Sequence, residues 1–534
     1  MRLLRNLGVI SSLTLLSRVA GLAREILTAA RLGAGPVADT FFQAMTIPNT
    51  FRRVLAEGAF NAAFVPLYGR ELEGKGREEA DRFASEALSF MVTVTGALVI
   101  AFQIFAPWLA YAFFPGRIGD PDGMALAVLL LQIMMPYLLT MVVAALISGG
   151  LNSHGRFAMA AFAPVALNLV MIAVLAFNPG DSTDELVVWL AWGVTLSGLA
   201  QVAMLWTSAV RAKLRLRVLP PKLTPRVKRL IALGIPGAIA ASAVQINVVV
   251  TSSIATLEEG ARSWLNYAER LYQLPLGMIG IAMGIALLPN LTRRVRTGDE
   301  TGGDFAMNRA LEVSLALTLP AALAFIAMPE LITAGIYERG EFSAADTRNT
   351  GIALAIAGLG LPAFVLVKVL APAFFAREDT KTPMRFALAA VVVNFVFALL
   401  LFFGGLGFVG LAIASSLAGW VNAVLLGLTL RTRGLLQIDK RLARTAPRLL
   451  LAALLMAGVV WALAAWLPGI LAAALPTLGA SLVMMVSLLL VVGAGAAVFG
   501  GACLTLGALR PSEFAEALRP QKETKTLPGG SDEG

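Results

Sequence analysis

The 534-residue sequence predicts an all-α polytopic membrane protein of about fourteen transmembrane helices, arranged as two pseudo-symmetric six-helix bundles plus two C-terminal helices. Three observations carry this. The chain is 58% hydrophobic and only 14% charged, whereas a soluble domain is typically about 25% charged. No Asp, Glu, Lys or Arg occurs between Phe386 and Leu430 or between Leu449 and Leu509. Each of these tracts holds two spans of about 20 residues, separated by GGLG at 404–407 and by PGILAAALP at 468–476.

The elements follow in chain order. Apolar windows at 7–31, 36–68, 84–113, 123–149, 157–178 and 185–209 make the first bundle, residues 1–210. The first window reads as a retained helix, because Arg18 interrupts the apolar run that a cleaved signal needs. Residues 211–229, RAKLRLRVLPPKLTPRVKR, form a basic linker. Windows at 230–256, 264–291, 309–330, 348–372, 383–403 and 408–430 make the second bundle, residues 230–430. Windows at 447–467 and 477–507 give the extra pair within 431–510, and 511–534, ending KETKTLPGGSDEG, reads as a disordered tail. A faint echo links the bundles. The second helix of the first ends VPLYGR and that of the second ends PNLTR, so Pro66 and Arg70 match Pro289 and Arg293. Transporters built from two repeats place their site between them.

The net charge of +10 is not spread evenly. The loops on one side hold only Arg31, Arg117, Arg262, Arg339 and Arg348, and nearly all other basic residues lie on the opposite side with both termini. By the positive-inside rule that opposite side is cytoplasmic. This topology absorbs the excess charge, so nucleic acid is not an expected partner. The single cysteine, Cys503, excludes an internal disulfide framework. The single histidine, His154 in LNSHGR, reads as an ordinary loop residue.

The informative residues are charges inside the apolar windows: Arg18, Arg24, Glu25, Asp39, Arg52, Arg53, Glu57 and Arg270. An arginine at the centre of a bilayer costs about 2.5–3.5 kcal/mol on insertion scales. At a rise of about 1.5 Å per residue, Arg18 lies roughly 16 Å into its helix, near the midplane. Arg52 and Arg53 fall at a similar depth, whereas Arg24, Asp39 and Arg270 form an outer layer. Internal pairing is one account, with Arg53 meeting Glu57 and Asp39 meeting Arg24 or Arg270. The arginines outnumber their partners, however, which favours a net-cationic, water-filled cavity for an anionic ligand. A guanidinium suits a phosphate because its planar fork binds two oxygens and stays protonated when partly dehydrated. Pro48 and Pro275 predict kinks in the helices that carry these charges. The windows at 230–256, 383–403 and 408–430 carry no carboxylate and offer the neutral polar groups Gln245, Asn247, Asn394 and Asn422, which give no firm support for sodium or proton coupling in the second half.

The segments SRVAGLARE, GAGPVADTFFQAMTIPNTFRRVLAEGAFNAAFVPLY and ERLYQLPLGMIGIAMGIALLPNLTR closely resemble the MurJ (MviN) family of lipid II flippases, within the superfamily of multidrug and lipid-linked oligosaccharide exporters. The resemblance spans essentially the whole chain. It implies movement of lipid II, an undecaprenyl-diphosphate-linked disaccharide pentapeptide, from the cytoplasmic to the periplasmic leaflet of the bacterial inner membrane for peptidoglycan synthesis. It further implies substrate-binding roles for Arg18, Arg24, Arg52, Arg53 and Arg270, and gating or charge balance by Asp39 and Glu57. The last two helices would face the polyprenyl tail. No catalytic or metal-ligating residue and no cofactor is expected. Net charge moving through the field offers a coupling to the membrane potential. Membrane lipids and cell-wall synthesis proteins are further candidate partners.

Four alternatives remain at this stage, one of them a non-transporting scaffold in the cell-wall assembly complex, which would have no reason to bear the cost of buried arginines. A flippase for another polyprenyl-diphosphate-linked oligosaccharide, such as an O-antigen unit, is chemically compatible. A cation or drug exporter would carry acidic residues in its cavity. A membrane enzyme acting on polyprenyl diphosphates would need a cluster of acidic metal ligands or catalytic histidines.

Overall fold

The computed structural model describes residues 2–177, 182–297 and 300–508, and the side chains within them apart from those of 2–11, 57–62, 240, 243, 278–290, 295–296 and 300–301. The expected tail at 511–534 lies outside the described residues. Every regular element among them is helical; besides a 3-10 turn at Pro115–Arg117 and a five-residue π turn at Phe402–Leu406 there are seventeen α-helices and one longer π-helical segment. In chain order these are α1 (Arg2–Leu32), α2 (Pro36–Arg52), a π-helical segment (Arg53–Phe60), α3 (Asn61–Lys75), α4 (Arg77–Phe113), α5 (Pro121–Met134), α6 (Pro136–Ser153), α7 (Ala158–Phe177) and α8 (Thr183–Arg211). The second half continues with α9 (Pro225–Ala255), α10 (Ala261–Arg296), α11 (Glu300–Ala327), α12 (Pro329–Tyr337), α13 (Ala344–Phe375), α14 (Lys381–Leu401), α15 (Gly407–Thr432), α16 (Lys440–Ala474) and α17 (Ala480–Thr505).

Nine helical stretches among the described residues are long and apolar enough to cross a membrane, and the bent helix α9 makes a tenth. The stretch 381–432 counts as one of these but is a hairpin, α14 packed against α15. The chain is a multi-pass membrane protein.

Local chemistry sets the helix starts. Asp120 accepts from the Gly123 N–H ahead of α5, Ser182 from Glu185 ahead of α8, and Asp439 from Leu442 ahead of α16. Ser343 and Asp346 make a reciprocal capping box at the start of α13. Proline sets two breaks that the apolar windows do not reveal. Pro136 divides 121–153 into α5 and α6, and Pro329 opens the short helix α12, each at a first helical position where no N–H is needed. Pro48 lies inside α2, whose helix widens into the π segment from Arg53. Pro275 lies inside α10, which runs unbroken.

Helix α1 packs on α7, α7 on α8, and α6 on α8 and α4. Helix α13 packs on α10, α11 and α15, while α16 and α17 pair with each other and lean on α11 and α12. Helix α9 bends by 46° and touches the π segment, α3 and α4 as well as α14. Helices α2 and α10 meet face to face, which brings the charged helices of the two halves together.

Candidate functional site

The site forms where α1, α2 and α10 converge. Arg24 and Glu25 are adjacent on α1 and both buried, at 9% and 5% exposure. The Arg24 guanidinium bonds the Glu25 carboxylate, and the same oxygen, Oε1, lies 3.3 Å from Nε of Arg270 on α10. One carboxylate therefore holds two guanidiniums from facing helices. In low dielectric this is stable only while both sides of the balance remain, because removing one partner of a buried pair costs about 3–5 kcal/mol.

Two voids flank this triad. One, a cavity of about 80 Å³, is lined by Arg24, Glu25, Thr46, Asn49, Arg53, Arg262, Asn266, Glu269 and Arg270 among others. The other, of about 270 Å³, is lined by Arg18, Gly21, Arg24, Glu25, Arg270 and Gln273. Together they present five arginines against two glutamates among the described residues. Arg18 reaches across to α10, where its guanidinium lies flat against Gly277: a Cβ added there would sit 2.5 Å from Nη1. A third space of about 260 Å³ shares Arg53, Arg262 and Glu269 with the first and is otherwise lined by neutral groups such as Asn247, Thr251 and Asn394.

The residues singled out in the sequence divide as follows. Arg18, Arg24, Arg53 and Arg270 line the voids. Arg52 is half-buried and donates from Nε to Asn49 Oδ1 at 3.2 Å, one turn back on α2. Glu57 lies in the π segment, and its side chain is outside the described residues. Asp39 pairs with neither Arg24 nor Arg270. Its carboxylate instead accepts from the backbone N–H groups of Gly260 and Ser263, at 2.7 and 2.8 Å, and from the Ser263 hydroxyl at 2.6 Å. It thus caps the first turn of α10 from a helix of the other half.

Two residues escaped the sequence reading. Arg262, assigned there to a loop, lies in the first turn of α10, buried, and donates to Thr46 Oγ1 at 2.8 Å. Its signal was Gly260, which turns the chain immediately before the helix starts. Gln43 on α2, fully buried, donates to the Phe113 carbonyl and to Ser253 Oγ on α9 at 3.0 and 2.9 Å. A lone glutamine in an apolar run has no periodic signature.

The end of the bundle with few basic residues is sealed above the site by contacts between the halves. Besides Asp39, the buried Tyr267 hydroxyl on α10 donates to the Gly33 carbonyl at 2.9 Å. Its ring packs edge-on against Phe42 and Phe342, with centroids 5.3 and 5.2 Å away. The Glu341 N–H donates to the Ala30 carbonyl at 2.9 Å.

Comparison with known proteins agrees with this architecture. A family model described as lipid II flippase MurJ matches residues 28–478. A protein of Rhizobium meliloti (strain 1021) named probable lipid II flippase MurJ is 46% identical over 479 residues, 89% of each chain. One of Burkholderia cenocepacia named lipid II flippase MurJ is 35% identical over 470 residues, 86% of this chain and 90% of its own. Among solved structures, a lipid II flippase MurJ in an inward closed conformation matches in fold with a TM-score of 0.72 at 23% identity, over 96% of this chain and 99% of its own. An inward-facing MATE family multidrug transporter matches with a TM-score of 0.64 at 16% identity, over 80% of this chain and 97% of its own.

Proposed function

Since the chain belongs to the lipid II flippase MurJ family, we propose that it moves lipid II from the cytoplasmic to the periplasmic leaflet of a bacterial inner membrane, by alternating access through its arginine-lined cavity. The observation that carries this is the convergence of Arg18, Arg24, Arg53, Arg262 and Arg270 on two adjoining voids with only Glu25 and Glu269 opposing them among the described residues. A diphosphate supplies the missing negative charge. Each guanidinium can bind two of its oxygens, and the desolvation that makes the empty site costly makes the filled one strong.

The basic end faces the cytoplasm, with both termini there, and the sealed end faces the periplasm. The headgroup enters from the cytoplasmic side while the polyprenyl tail stays in lipid along α16 and α17, within 431–510. Residues 1–210 and 230–430 act as the two rocking halves, joined by 211–229. Mutual repulsion among the arginines opposes closure around an empty cavity, and the anion removes it. Closure at the cytoplasmic end then competes with the periplasmic seal made by Asp39 and Tyr267. Arg52, and Glu57 in the π segment, lie where α2 must flex and adjust that motion. No step is catalytic.

The family favours lipid II over an O-antigen unit, with which the diphosphate chemistry is equally compatible. The test is reconstitution into proteoliposomes with fluorescent lipid II and, separately, a fluorescent undecaprenyl-diphosphate oligosaccharide. Flipping of lipid II that is lost in Arg24→Gln and Arg270→Gln supports the assignment. Equal flipping of both substrates would overturn the specificity, and no flipping of either would overturn the function.

A further inference from the structure

The linker between α8 and α9 is not a free loop. Its backbone is pinned along one face of α4 by side chains spaced one turn apart. Asp81 Oδ2 accepts from the Arg215 N–H at 3.0 Å, Ser85 Oγ from the Arg217 N–H at 3.0 Å, and Ser89 Oγ from the Leu219 N–H at 2.7 Å. The hydroxyls are aimed by their own bonds back to the Asp81 and Ser85 carbonyls, both 2.8 Å. Arg77 clamps the Ala212 carbonyl at one end of the ladder, and Thr224 bonds Glu86 at 2.7 Å at the other.

From Leu214 onward the consequence is an extended ribbon with a fixed alternation, and Lys213 stands at the left-handed turn that leads into it, at φ +57. Side chains of successive residues in an extended chain point to opposite faces. Leu214 and Leu216 are buried, at 5% and 8% exposure, and Leu214 touches the surface of Gly150 on α6. Lys213, Arg215 and Arg217 are all exposed. The ladder also sets the ribbon's depth. From Asp81 to Ser89 is about 12 Å along α4 at about 1.5 Å per residue. Glu86 is the last charged residue of α4, so the Ser89 end reaches the start of the apolar span. At that end Val218 and Leu223 are exposed, at 72% and 59%, beside Arg217 and Lys222. The 211–229 stretch carries no acidic residue. Basic side chains above exposed apolar ones at the edge of a bilayer match a headgroup layer with acyl chains beneath it.

We infer that the 213–219 ribbon is a built binding surface for the anionic phospholipid headgroups of the leaflet at the basic end. It differs from a merely positive loop in that α4 dictates which side chains face the lipid. Binding there holds the start of α9 at the membrane surface, and α9 is the helix that contacts both the π segment and α14. The inference does not depend on the cargo.

The test is enrichment of phosphatidylglycerol around the full-length protein in phosphatidylcholine vesicles doped with phosphatidylglycerol, read by energy transfer to labelled lipids. Lys213→Gln/Arg215→Gln/Arg217→Gln should reduce enrichment by at least about fivefold, the effect of one basic residue near an anionic surface. Lys381→Gln/Arg385→Gln/Arg431→Gln, which removes the same charge from the same end, should leave it nearly unchanged. Ser85→Ala/Ser89→Ala keeps every charge and removes the two rungs that hold Arg217 and Leu219, so it too should lose enrichment. If the ladder variant keeps full enrichment, or if the two charge variants behave alike, the ribbon is only part of a diffuse positive field and the inference fails. Should the ladder variant fold poorly, the contrast between the two charge variants decides alone, because both change exposed side chains. Displacement of phosphatidylglycerol by trace undecaprenyl diphosphate would assign the ribbon to the cargo and overturn the proposal.

Discussion

Asp39 on α2 and Ser263 on α10 are joined by two hydrogen bonds, from the serine N–H at 2.8 Å and from its hydroxyl at 2.6 Å. The two residues belong to different halves of the chain, and both are buried, at 3% and 0% exposure. A carboxylate bonded this way joins the two helices by directional contacts that a small rotation of either helix breaks, which suits the proposed gate. Hydrogen bonds to a charged group are worth about 1.5–3 kcal/mol each. Asp39→Ala should therefore raise the population open at that end by at least about tenfold. The measurement is labelling of Asn266→Cys, on the cavity wall, by a membrane-impermeant thiol reagent in a Cys503→Ala background. Ser263→Ala should act in the same direction, more weakly, because the backbone N–H remains. The double variant should fall short of additivity, since both residues belong to one interaction.

A second clasp lies beside the first. Gly33, at φ +64, and Gly340, at φ +58, sit on opposite halves, and each faces the other half's backbone. A Cβ on Gly33 would lie 2.5 Å from the Glu341 carbonyl oxygen, and one on Gly340 would lie 2.1 Å from that of Ala30. Left-handed backbone alone costs an L-residue about 1–2 kcal/mol, and the collision adds to it. Gly33→Ala and Gly340→Ala should each increase the same labelling from the sealed end. Gly35→Ala, in the same turn but facing open space, should leave it near the wild-type level.

Glu25 balances Arg24 and Arg270 at once. Glu25→Gln leaves two arginines without their carboxylate. The empty protein should lose thermal stability by roughly 3–5 kcal/mol, and inorganic pyrophosphate should restore much of it by binding the folded state. Thermal unfolding with and without pyrophosphate checks this. A variant that pyrophosphate does not rescue would mean the arginines are not available to an anion.

Outside the membrane, Asp379 supplies a pH signature. The Arg433 guanidinium bonded to it, with the Thr382 N–H and hydroxyl, holds its carboxyl down to about 2. Its folded pKa is below the unfolded value of about 3.9, so its contribution is complete above that value and is lost as pH falls towards 2. The stability difference between wild type and Asp379→Asn should be constant near neutrality and close between about pH 4 and pH 2. Melting temperatures across that range measure it.

Much of this organisation is legible in the sequence because bilayer physics is severe. A charge-free tract long enough to span can hardly be anything else, and a buried arginine must have a reason. Hence the fourteen apolar windows correspond to helices, and Arg18, Arg24, Arg53 and Arg270 fall on the cavity walls. Partner choice was not legible. Asp39 stands at the right depth to neutralise an arginine, yet its partners are two N–H groups and a hydroxyl more than 200 positions away. Such acceptor choices depend on where α10 begins, and a helix start is uncertain by a few residues in any apolar pattern. The same uncertainty hid Arg262. The short helix α12 and the break at Pro136 were hidden for a different reason, since hydropathy averages over a span and is blind to a single proline within it.

The most direct measurement is leaflet-resolved labelling of lipid II in the native cell after depletion of this protein, with rescue by wild type, Arg18→Ala or Arg24→Ala at matched membrane abundance. The account predicts that lipid II accumulates in the cytoplasmic leaflet on depletion, that wild type restores its appearance outside, and that neither arginine variant does. Lipid II reaching the outer leaflet at an undiminished rate in depleted cells would contradict it, and the arginines of α1 would then need another anionic cargo.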